Sequence, residues 1–259
     1  MNILEKIVAS TRERVAREKA AGLPEKTDVI REPFLFEQRI GGDGMSFICE
    51  VKKASPSKGI IAPDFPYVDI AVEYQAAGAD AISVLTEPAF FQGDDDYLRA
   101  IREHVDIPLL RKDFIIDPFQ IEQSARIGAD AILLICAILT PAQLKEYIAL
   151  AQELGLSCLV EVHDENELTM ALDARARVVG VNNRDLKTFE VDTGNSIRLR
   201  KFAPDDVIFV SESGIRSASD IAQLEKNNID AVLVGETLMR AADKKQALAA
   251  LRGNTHDEV

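Results

Sequence analysis

The sequence has few cysteines and no long apolar segment, and each scarcity excludes a class of protein. Cys49, Cys136 and Cys158 are odd in number and lie inside apolar segments, so we interpret them as reduced core thiols rather than as a disulfide set. The longest apolar run, residues 131–139, has nine residues, whereas a membrane-spanning helix needs roughly 18 or more. The N-terminal segment carries charges at helical spacing and has no apolar secretory core. We therefore expect a cytoplasmic protein without a membrane segment.

Positive charge and metal-ligand clusters are also scarce. The chain has 43 acidic and 30 basic residues, a formal net charge of −13, and such a surface repels nucleic acid and anionic membranes. His104, His163 and His256 are scattered, and no set of His, Asp and Glu has the spacing of metal ligands. There is no nucleophile elbow and no Ser-His-Asp pattern. The sequence thus predicts a protein that requires no metal or other cofactor and has no nucleic-acid or membrane partner.

What the chain does contain is a repeated alternation of short β-rich runs and amphipathic stretches. Eight runs recur at intervals of roughly 20–35 residues, which is typical of strand-plus-helix units. The predicted strands are 47–51, 81–85, 109–111, 131–135, 157–160, 178–181, 207–210 and 231–234. No G-x-G-x-x-G motif follows the first run, which disfavours an open doubly wound sheet. Eight units in 259 residues predict an α/β protein with a (β/α)8 TIM barrel, a fold that commonly takes about 250 residues.

Residues 1–45 precede the first predicted strand. Ile3, Leu4 and Ile7 repeat at the spacing of one helix face. The glycine-rich segment 41–44 then interrupts the chain. We therefore expect one barrel domain, residues 1–259, in which residues 1–45 form an N-terminal helical extension.

Charged side chains end several predicted strands, at the end of a barrel where active sites form. Glu50 and Lys52 are two residues apart in the first strand and share a face with Ile48, although a surface ion pair at a sheet edge is an alternative. Lys112 ends the third strand, where a solvated loop cluster would also explain it. Glu161 ends the fifth strand. A carboxylate there can have a raised pKa and act as an acid or base, or it can pair structurally with a lysine.

Further polar residues follow the fifth, sixth and seventh strands. His163 lies on the face of Glu161, and it either caps the following helix or takes part in chemistry. Asn182 and Arg184 share a face after the sixth strand. An inward Asn–Arg pair suits carboxylate or phosphate recognition, because a guanidinium binds such groups bidentately, but turn chemistry alone explains one Asn. Glu212 ends the seventh strand.

Glycines follow the last two strands. Ser213 and Gly214 come after the seventh strand, and Gly235 comes after the eighth. Barrels frequently bind phosphate at these two loops, because glycine lets backbone N–H groups approach the ligand and a short helix points its positive end at the anion. We predict a phosphate site at these three residues. Lysines facing several carboxylates beside it favour acid/base chemistry on a phosphorylated small molecule.

These strand ends belong to specific sequence blocks. The blocks are CEVKKASPSKG (49–59), TEPAFFQG (86–93), LLRKDFIID (109–117), GADAILLI (128–135), LVEVH (159–163), NNRDL (182–186), VSESGI (210–215) and VGETLM (234–239). In this order the chain resembles the indole-3-glycerol-phosphate synthase family along nearly its whole length. The resemblance implies a lyase of tryptophan biosynthesis. It would close, decarboxylate and dehydrate 1-(2-carboxyphenylamino)-1-deoxyribulose 5-phosphate to indole-3-glycerol phosphate.

The resemblance also implies catalytic roles. Lys112 would be the general acid that protonates the substrate's ketone oxygen, and Glu161 would act as general acid/base in the later dehydration. Lys52 would bind phosphate or carboxylate and is a second candidate proton donor, so the division of work between the two lysines stays open. Glu50 and Asn182 would hold the sugar hydroxyls and orient both lysines.

Substrate contacts are implied in the same way. Ser55, Pro56 and Lys58 would lie in a mobile loop that closes over the site. Phe91 and Phe114 would pack near the anthranilate ring, although ordinary barrel packing explains both equally well. The other implied contacts are Arg184, Glu212, Ser213, Gly214 and Gly235.

The residues at the strand ends disfavour two other functions. A barrel of the phosphoribosyl-anthranilate isomerase type shares the phosphate site but is expected to use a Cys base and an Asp acid, where this chain has Lys and Glu. A non-catalytic barrel that senses a sugar phosphate is expected to have lost Lys52 and Lys112, and both are present. The sequence leaves open whether the protein is a monomer or a homodimer.

Overall fold

Eight parallel strands form a closed barrel in the computed structural model, which describes residues 2–185 and 190–253. The strands are β1 Ser46–Val51, β2 Ala81–Leu85, β3 Leu109–Lys112, β4 Ala131–Ile135, β5 Ser157–Val162, β6 Val178–Asn182, β7 Ile208–Glu212 and β8 Ala231–Val234. Each strand pairs in parallel with the next, and β1 pairs with both β2 and β8. This arrangement confirms the (β/α)8 barrel expected from the sequence.

Some strands end later than the apolar pattern predicted. Lys112 continues β3 because it pairs with Leu85 of β2, and Glu212 continues β7 because it pairs with Asn182 of β6. The polar residues at these ends therefore belong to the barrel wall and not to loops. At its other end, β7 begins at Ile208, one residue later than predicted.

Helices surround the barrel and also precede it. They are α1 Ile3–Ala21, α2 Leu35–Ile40, α3 Tyr67–Ala76, α4 Pro88–Phe91, α5 Asp95–Arg102, α6 Pro118–Ile127, α7 Pro141–Glu153, α8 Glu165–Asp173, α9 Gly194–Arg200, α10 Ala218–Glu225, α11 Glu236–Arg240 and α12 Lys244–Leu251. A short hairpin, Ala54–Ser55 with Gly59–Ile60, follows β1. Helix α1 lies before the first strand, as the helical spacing predicted. None of the helices described here is long and apolar enough to cross a membrane.

The alternation of side chains along each strand produces two apolar layers. On β1, Ile48 lies in the barrel interior, whereas Cys49 and Val51 pack in the layer between strands and helices. Phe36 and Ile40 of α2 join the interior layer. Residues two positions apart on a strand therefore point into the barrel together, as the sequence predicted.

The three cysteines are buried and free. Cys49 and Cys158 lie in β1 and β5, and Cys136 begins a short 3-10 turn, Cys136–Ile138. Burial raises the pKa of Cys136 and of Cys158 to about 12, so both remain protonated thiols. The interpretation as core thiols rather than disulfides is confirmed.

A buried ion pair attaches helix α1 to the end of β3. Arg14 Nη2 lies 2.8 Å from each carboxylate oxygen of Asp113, the residue after Lys112. Asp113 Oδ2 also lies 3.3 Å from Arg111 Nη2. The N-terminal helix thus contacts the residue next to the candidate general acid.

We expect Arg14→Gln to lower the free energy of unfolding by roughly 2–4 kcal/mol, because the buried Asp113 loses one of its two guanidinium partners while Arg111 remains. Urea unfolding would measure the change. Arg17→Gln, at an exposed position of the same helix, is the matched control. Equal unfolding midpoints for the two variants would contradict the structural importance of this ion pair.

Candidate active site

A cavity of about 430 Å³ lies at the carboxyl ends of the barrel strands. Its lining contains every candidate site residue predicted from the sequence: Glu50, Lys52, Ser55, Pro56, Lys58, Phe91, Lys112, Phe114, Glu161, Asn182, Arg184, Glu212, Ser213, Gly214 and Gly235. They come from several strands and from the segments that follow them. Closure of the barrel therefore brings residues that are distant in sequence around one space.

Glu50 and Lys52 form an ion pair inside the barrel mouth. The side chain of Glu50 is 5% exposed and that of Lys52 is 17% exposed. Gly235 lies against this pair, because a Cβ at that position would collide with Glu50 Oε2 and come within 3.0 Å of Lys52 Nζ. A closed barrel has no edge strand, so the alternative of a surface ion pair at a sheet edge is wrong.

Lys112 lies at the centre of the polar groups. Its Nζ donates to Glu212 Oε2 at 2.6 Å and to Glu161 Oε2 at 3.2 Å. Burial alone would lower the pKa of Lys112, but the negative charges of Glu212, Glu161 and Glu50 outweigh burial and raise it above the usual value. The side chain is a partly buried ammonium group at the end of a barrel strand and not part of a solvated loop cluster. It can therefore hold a proton ready for an acceptor in the cavity.

The two carboxylates that share Lys112 differ in pKa. Burial raises the pKa of Glu212 to about 7, and the charge of Lys112 only partly offsets the burial while that of Glu161 adds to it. For Glu161, burial would raise the pKa, but the charges of Lys112 and His163 and a hydrogen bond from Asn182 outweigh burial and lower it. Ionisation thus prevails at Glu161. Environments that separate the pKa values of neighbouring carboxyl groups are typical of acid/base sites.

Asn182 connects the central carboxylate to the candidate phosphate site. Its Nδ2 donates to Glu161 Oε1 at 3.3 Å. Its Oδ1 accepts from Ser213 Oγ at 3.0 Å and from the backbone N–H of Arg184 at 3.1 Å. Asn182 therefore orients Glu161 from one side and fixes the loop after β7 from the other.

A glycine on β6 makes room for the central cluster. A Cβ at Gly180 would collide with Glu212 Oε1 and come within 3.0 Å of Leu159 Cδ1. No other residue type fits there unless Glu212 moves away from Lys112. Gly180 lies two residues before Asn182 on β6 and so shares its face, but the sequence alone did not indicate this role.

The candidate phosphate site is built from two loops. Ser213 and Gly214 adopt left-handed conformations, with φ of 68° and 90°, and Gly235 immediately precedes α11. A Cβ at Gly214 would collide with Val191 and Thr193, so the close approach of two segments requires glycine there. The backbone of these residues lines the cavity, and together with the short helix after Gly235 it suits an anion.

Several lining residues were not predicted from the sequence. Arg216 and Arg240 lie beside the phosphate loops, and the position of Arg216, two residues after Gly214, was the signal that could have identified it. An apolar part of the lining consists of Leu85, Leu133, Ile135 and Leu233 from the strands and Ile3, Leu4 and Ile7 from α1. An inward leucine that faces the cavity has the same sequence pattern as a core leucine, so these residues could not be distinguished.

The rings of Phe91 and Phe114 contact each other with centroids 6.0 Å apart, and both line the cavity. Lys58, in the loop after β1, also lines the cavity, and its Nζ is 3.5 Å from Glu236 Oε1. The loop after β1 thus contacts the start of α11, which follows the neighbouring strand β8.

His163 does not cap the following helix. Asp164 is the N-cap of α8, where its side chain accepts from the backbone N–H groups of Asn166 and Glu167. His163 Nδ1 lies 2.9 Å from Glu167 Oε2, and His163 Nε2 lies 3.4 Å from Glu161 Oε1. Of the two explanations left open by the sequence, capping is therefore wrong.

Within residues 2–185 and 190–253, no three His, Cys, Asp or Glu side chains are grouped so that they could hold a metal ion. His256, one of the three histidines, lies outside the described residues. The titratable side chains that line the cavity include ammonium and carboxyl groups.

Comparison with known proteins identifies the relatives of this barrel. The family model for indole-3-glycerol phosphate synthase matches residues 4–251. The chain belongs to the indole-3-glycerol phosphate synthase family. The resemblance drawn from the strand-end motifs is thereby confirmed.

Curated members of the indole-3-glycerol phosphate synthase family are similar over almost their full length. The protein of that name from Ruminiclostridium cellulolyticum is 57% identical over 258 residues, which cover 97% of this chain and 99% of the relative. The one from Endomicrobium trichonymphae is 53% identical over 258 residues, covering 96% and 99%.

Solved structures outside the indole-3-glycerol phosphate synthase family share only the fold. A 3-hexulose-6-phosphate synthase matches with a TM-score of 0.66 and 16% identity, over 81% of this chain and 99% of that chain. KGPDC from Streptococcus mutans matches with a TM-score of 0.65 and 14% identity, over 82% and 97%. At such identities the likeness concerns the barrel alone.

Proposed function

We propose that this chain is a carboxy-lyase (EC 4.1.1.48) of tryptophan biosynthesis. It converts 1-(2-carboxyphenylamino)-1-deoxyribulose 5-phosphate to indole-3-glycerol phosphate, with release of CO2 and water. The observation that carries the proposal is the Lys112 ammonium, held between Glu212 and Glu161 at the centre of the cavity. Membership of the family supports the same activity.

Ring closure uses Lys112 as the general acid. The ring carbon that bears the carboxylate attacks the substrate's ketone carbon, and the ketone oxygen takes a proton from Lys112 Nζ. A carbon–carbon bond forms, and the ring becomes a non-aromatic cation. The carboxylate then leaves as CO2, and the electron pair of the broken bond restores aromaticity. The raised pKa of Lys112 keeps the ammonium loaded before this step.

Dehydration uses Glu161 as general acid/base. A proton moves to Glu161 from the carbon next to the one that bears the new hydroxyl, Glu161 returns a proton to the hydroxyl, and the hydroxyl leaves as water as the indole double bond forms. Glu161 is ionised because its pKa is lowered, so it can first accept a proton and then pass it on. Lys52 is the second proton donor in reach of the cavity.

The rest of the lining binds and orients the substrate. Glu50 and Asn182 hold the sugar hydroxyls, Arg184 and Glu212 complete the polar ring, and Phe91 and Phe114 flank the anthranilate ring. Phosphate binds at Ser213, Gly214 and Gly235, and the loop of Ser55, Pro56 and Lys58 closes over the bound molecule.

Local positive charge explains how an anionic substrate binds to an acidic protein. The formal net charge is −13, but Lys58, Arg184, Arg216 and Arg240 all line the cavity. A cleft lined by cations concentrates anions even when the rest of the surface repels them.

An isomerase that uses a cysteine base is disfavoured by the position of the thiols. Cys49 and Cys158 lie in the layer between strands and helices, and Cys136 packs in the same layer. Their raised pKa values keep them protonated. None of the three is among the residues that line the cavity.

The proposal extends to the whole chain. Residues 1–259 form one barrel domain with residues 1–45 as its extension, and the protein acts on a small phosphorylated metabolite without a nucleic-acid or membrane partner. A cytoplasmic location is supported by the three free, buried thiols.

The decisive experiment supplies the carboxyphenylamino-deoxyribulose phosphate to purified protein in a chelator-treated buffer and follows indole fluorescence. We expect turnover without added metal. A protein that binds the substrate, as measured by calorimetry, but produces neither CO2 nor indole would instead be a sugar-phosphate sensor, and the proposal would be rejected.

A further inference from the structure

We propose that His163 is a positioning residue for Glu161: braced by Glu167, it keeps the Glu161 carboxylate oriented and ionised while Lys112 is engaged with the substrate. The inference rests on the proposed function and adds a group to its dehydration step.

The three side chains form a line that runs outward from the cavity. Glu161 lines the cavity, and His163 Nε2 lies 3.4 Å from its Oε1 atom. On the other side of the imidazole, Nδ1 lies 2.9 Å from Glu167 Oε2. The same Glu167 oxygen accepts the backbone N–H of His163 at 2.9 Å. Glu167 thus fixes both the ring and the backbone of His163, so that Nε2 points at Glu161.

The Nε2 atom is poised rather than already engaged. It is buried and has no hydrogen-bond partner of good geometry among the described residues, while Glu161 Oε1 is its ionic neighbour. A small rotation of the Glu161 carboxyl group would bring that oxygen into hydrogen-bond range. A buried donor with an unfilled hydrogen bond is costly unless a partner approaches during function.

Charged groups around His163 favour the imidazolium form. Burial lowers the pKa of His163, but the hydrogen bond to Glu167 and the charges of Glu161, Glu167 and Glu212 outweigh it and raise the pKa to about 9. Asp164, the next residue, has its carboxylate engaged at the N-terminus of α8. The Cys136 thiol, on which the charges of Glu167, Glu161 and Asp164 act, stays protonated because burial and these charges raise its pKa to about 12. At neutral pH, therefore, His163 places a positive charge beside Glu161.

The mechanism needs a second cation at this place. Glu161 and Glu212 share the single ammonium of Lys112 in the described site. When Lys112 gives its proton to the ketone, it becomes a neutral amine, and both carboxylates lose that counter-charge. The imidazolium of His163 remains next to Glu161 and does not touch the ketone, so Glu161 stays ionised until dehydration.

Two substitutions separate this role from a purely structural one. In His163→Asn the amide nitrogen replaces Nδ1, so the bond to Glu167 can persist while the donor toward Glu161 is lost. In His163→Gln the amide nitrogen replaces Nε2, so a donor toward Glu161 persists. We expect the Asn variant to lose about 10-fold in kcat with KM changed less than about twofold. The Gln variant should recover only part of the loss at neutral pH, because its amide can orient Glu161 but carries no positive charge.

The pH profile supplies an independent readout. In the unmodified protein kcat should fall as pH rises through about 9, where His163 loses its proton. The Gln variant should lack this fall, because an amide does not titrate. Glu167→Gln should move the fall to lower pH, because the pKa of His163 decreases without that carboxylate.

The outcomes are distinct. An Asn variant as active as the unmodified protein, or equal losses in both variants with the fall near pH 9 retained, would overturn the role of His163. Thermal unfolding identifies a variant that has not folded, and the pH profiles of the unmodified protein and of Glu167→Gln then decide the question. An unmodified protein without turnover would instead reject the proposed function.

Discussion

Lys112→Ala is expected to abolish CO2 release and indole formation together, with a loss of roughly 10²–10⁴-fold in kcat. The ammonium of Lys112 bonds to both Glu212 and Glu161 and is the proton source for the first bond-forming step. Without it the ketone oxygen would have to develop negative charge beside two carboxyl groups. Both products follow from that step, so both must disappear. Rapid-quench measurement of CO2, with indole fluorescence in parallel, tests the prediction.

The free energy of unfolding must be measured for the same variant, because Glu161 and Glu212 lose the Lys112 ammonium with which both are paired. The pKa of Glu212 is already raised to about 7, so Glu212 can take up a proton. Protonation removes the unpaired negative charge that would otherwise destabilise the folded variant. A pKa raised in the folded state contributes stability that is present below the unfolded value and is lost as pH rises through the folded value. Lys112→Ala should therefore be more stable at about pH 6 than at about pH 8.

Lys145→Ala, at an exposed position of α7, is the matched control for the loss of activity. Residual activity of Lys112→Ala close to that of Lys145→Ala would refute the assignment of Lys112 as the general acid.

Glu161→Gln is expected to separate the two products. Indole formation should fall by roughly 10²–10⁴-fold because the amide cannot accept and return a proton during dehydration. CO2 release in a single turnover should persist, because Lys112 keeps its bond to Glu212 Oε2 at 2.6 Å. A decarboxylated, still hydrated intermediate should then accumulate.

The ratio of the rate of CO2 release to the rate of indole formation decides whether Glu161 acts in dehydration. Glu153→Gln, at an exposed position of α7, controls for the loss of one negative charge. If CO2 release and indole formation fall in the same proportion in Glu161→Gln, the residue acts before decarboxylation and its place in dehydration is wrong.

Much of the fold followed from local patterns. The eight β-rich runs could be counted because each is short, apolar and followed by an amphipathic stretch, and a parallel strand buried on both faces has to have that composition. The face of each strand on which a side chain lies followed from the two-residue period of β-strands. Glu50 shares a face with Ile48, and Glu161 shares a face with Leu159, so both carboxyl groups were expected to point into the barrel. Strand ends were less accurate, since Lys112 and Glu212 are held in the wall by their neighbours across the ladder.

Predictions about the site succeeded for residues that have a local sequence signal and failed for residues that have none. Charged residues after apolar runs stand out in a sequence because burial of a charge is costly unless it is compensated, and this contrast identified Lys52, Lys112 and Glu161. Apolar residues around the cavity, such as Leu133 and Leu233, carry no such contrast. Arg14 could not be connected to Asp113 either, since a pairing over 99 positions has no local pattern.

The amino-acid sequence by itself determined the order of the strands, the face on which each side chain lies and the kinds of chemical group available, since these depend on neighbours one to four positions away. Only the tertiary structure decided which charges meet. Burial raises the pKa of Glu212, whereas at Glu161 the charges of Lys112 and His163 outweigh burial and lower the pKa. Electrostatic energy depends on burial and on separation in space, not on separation along the chain.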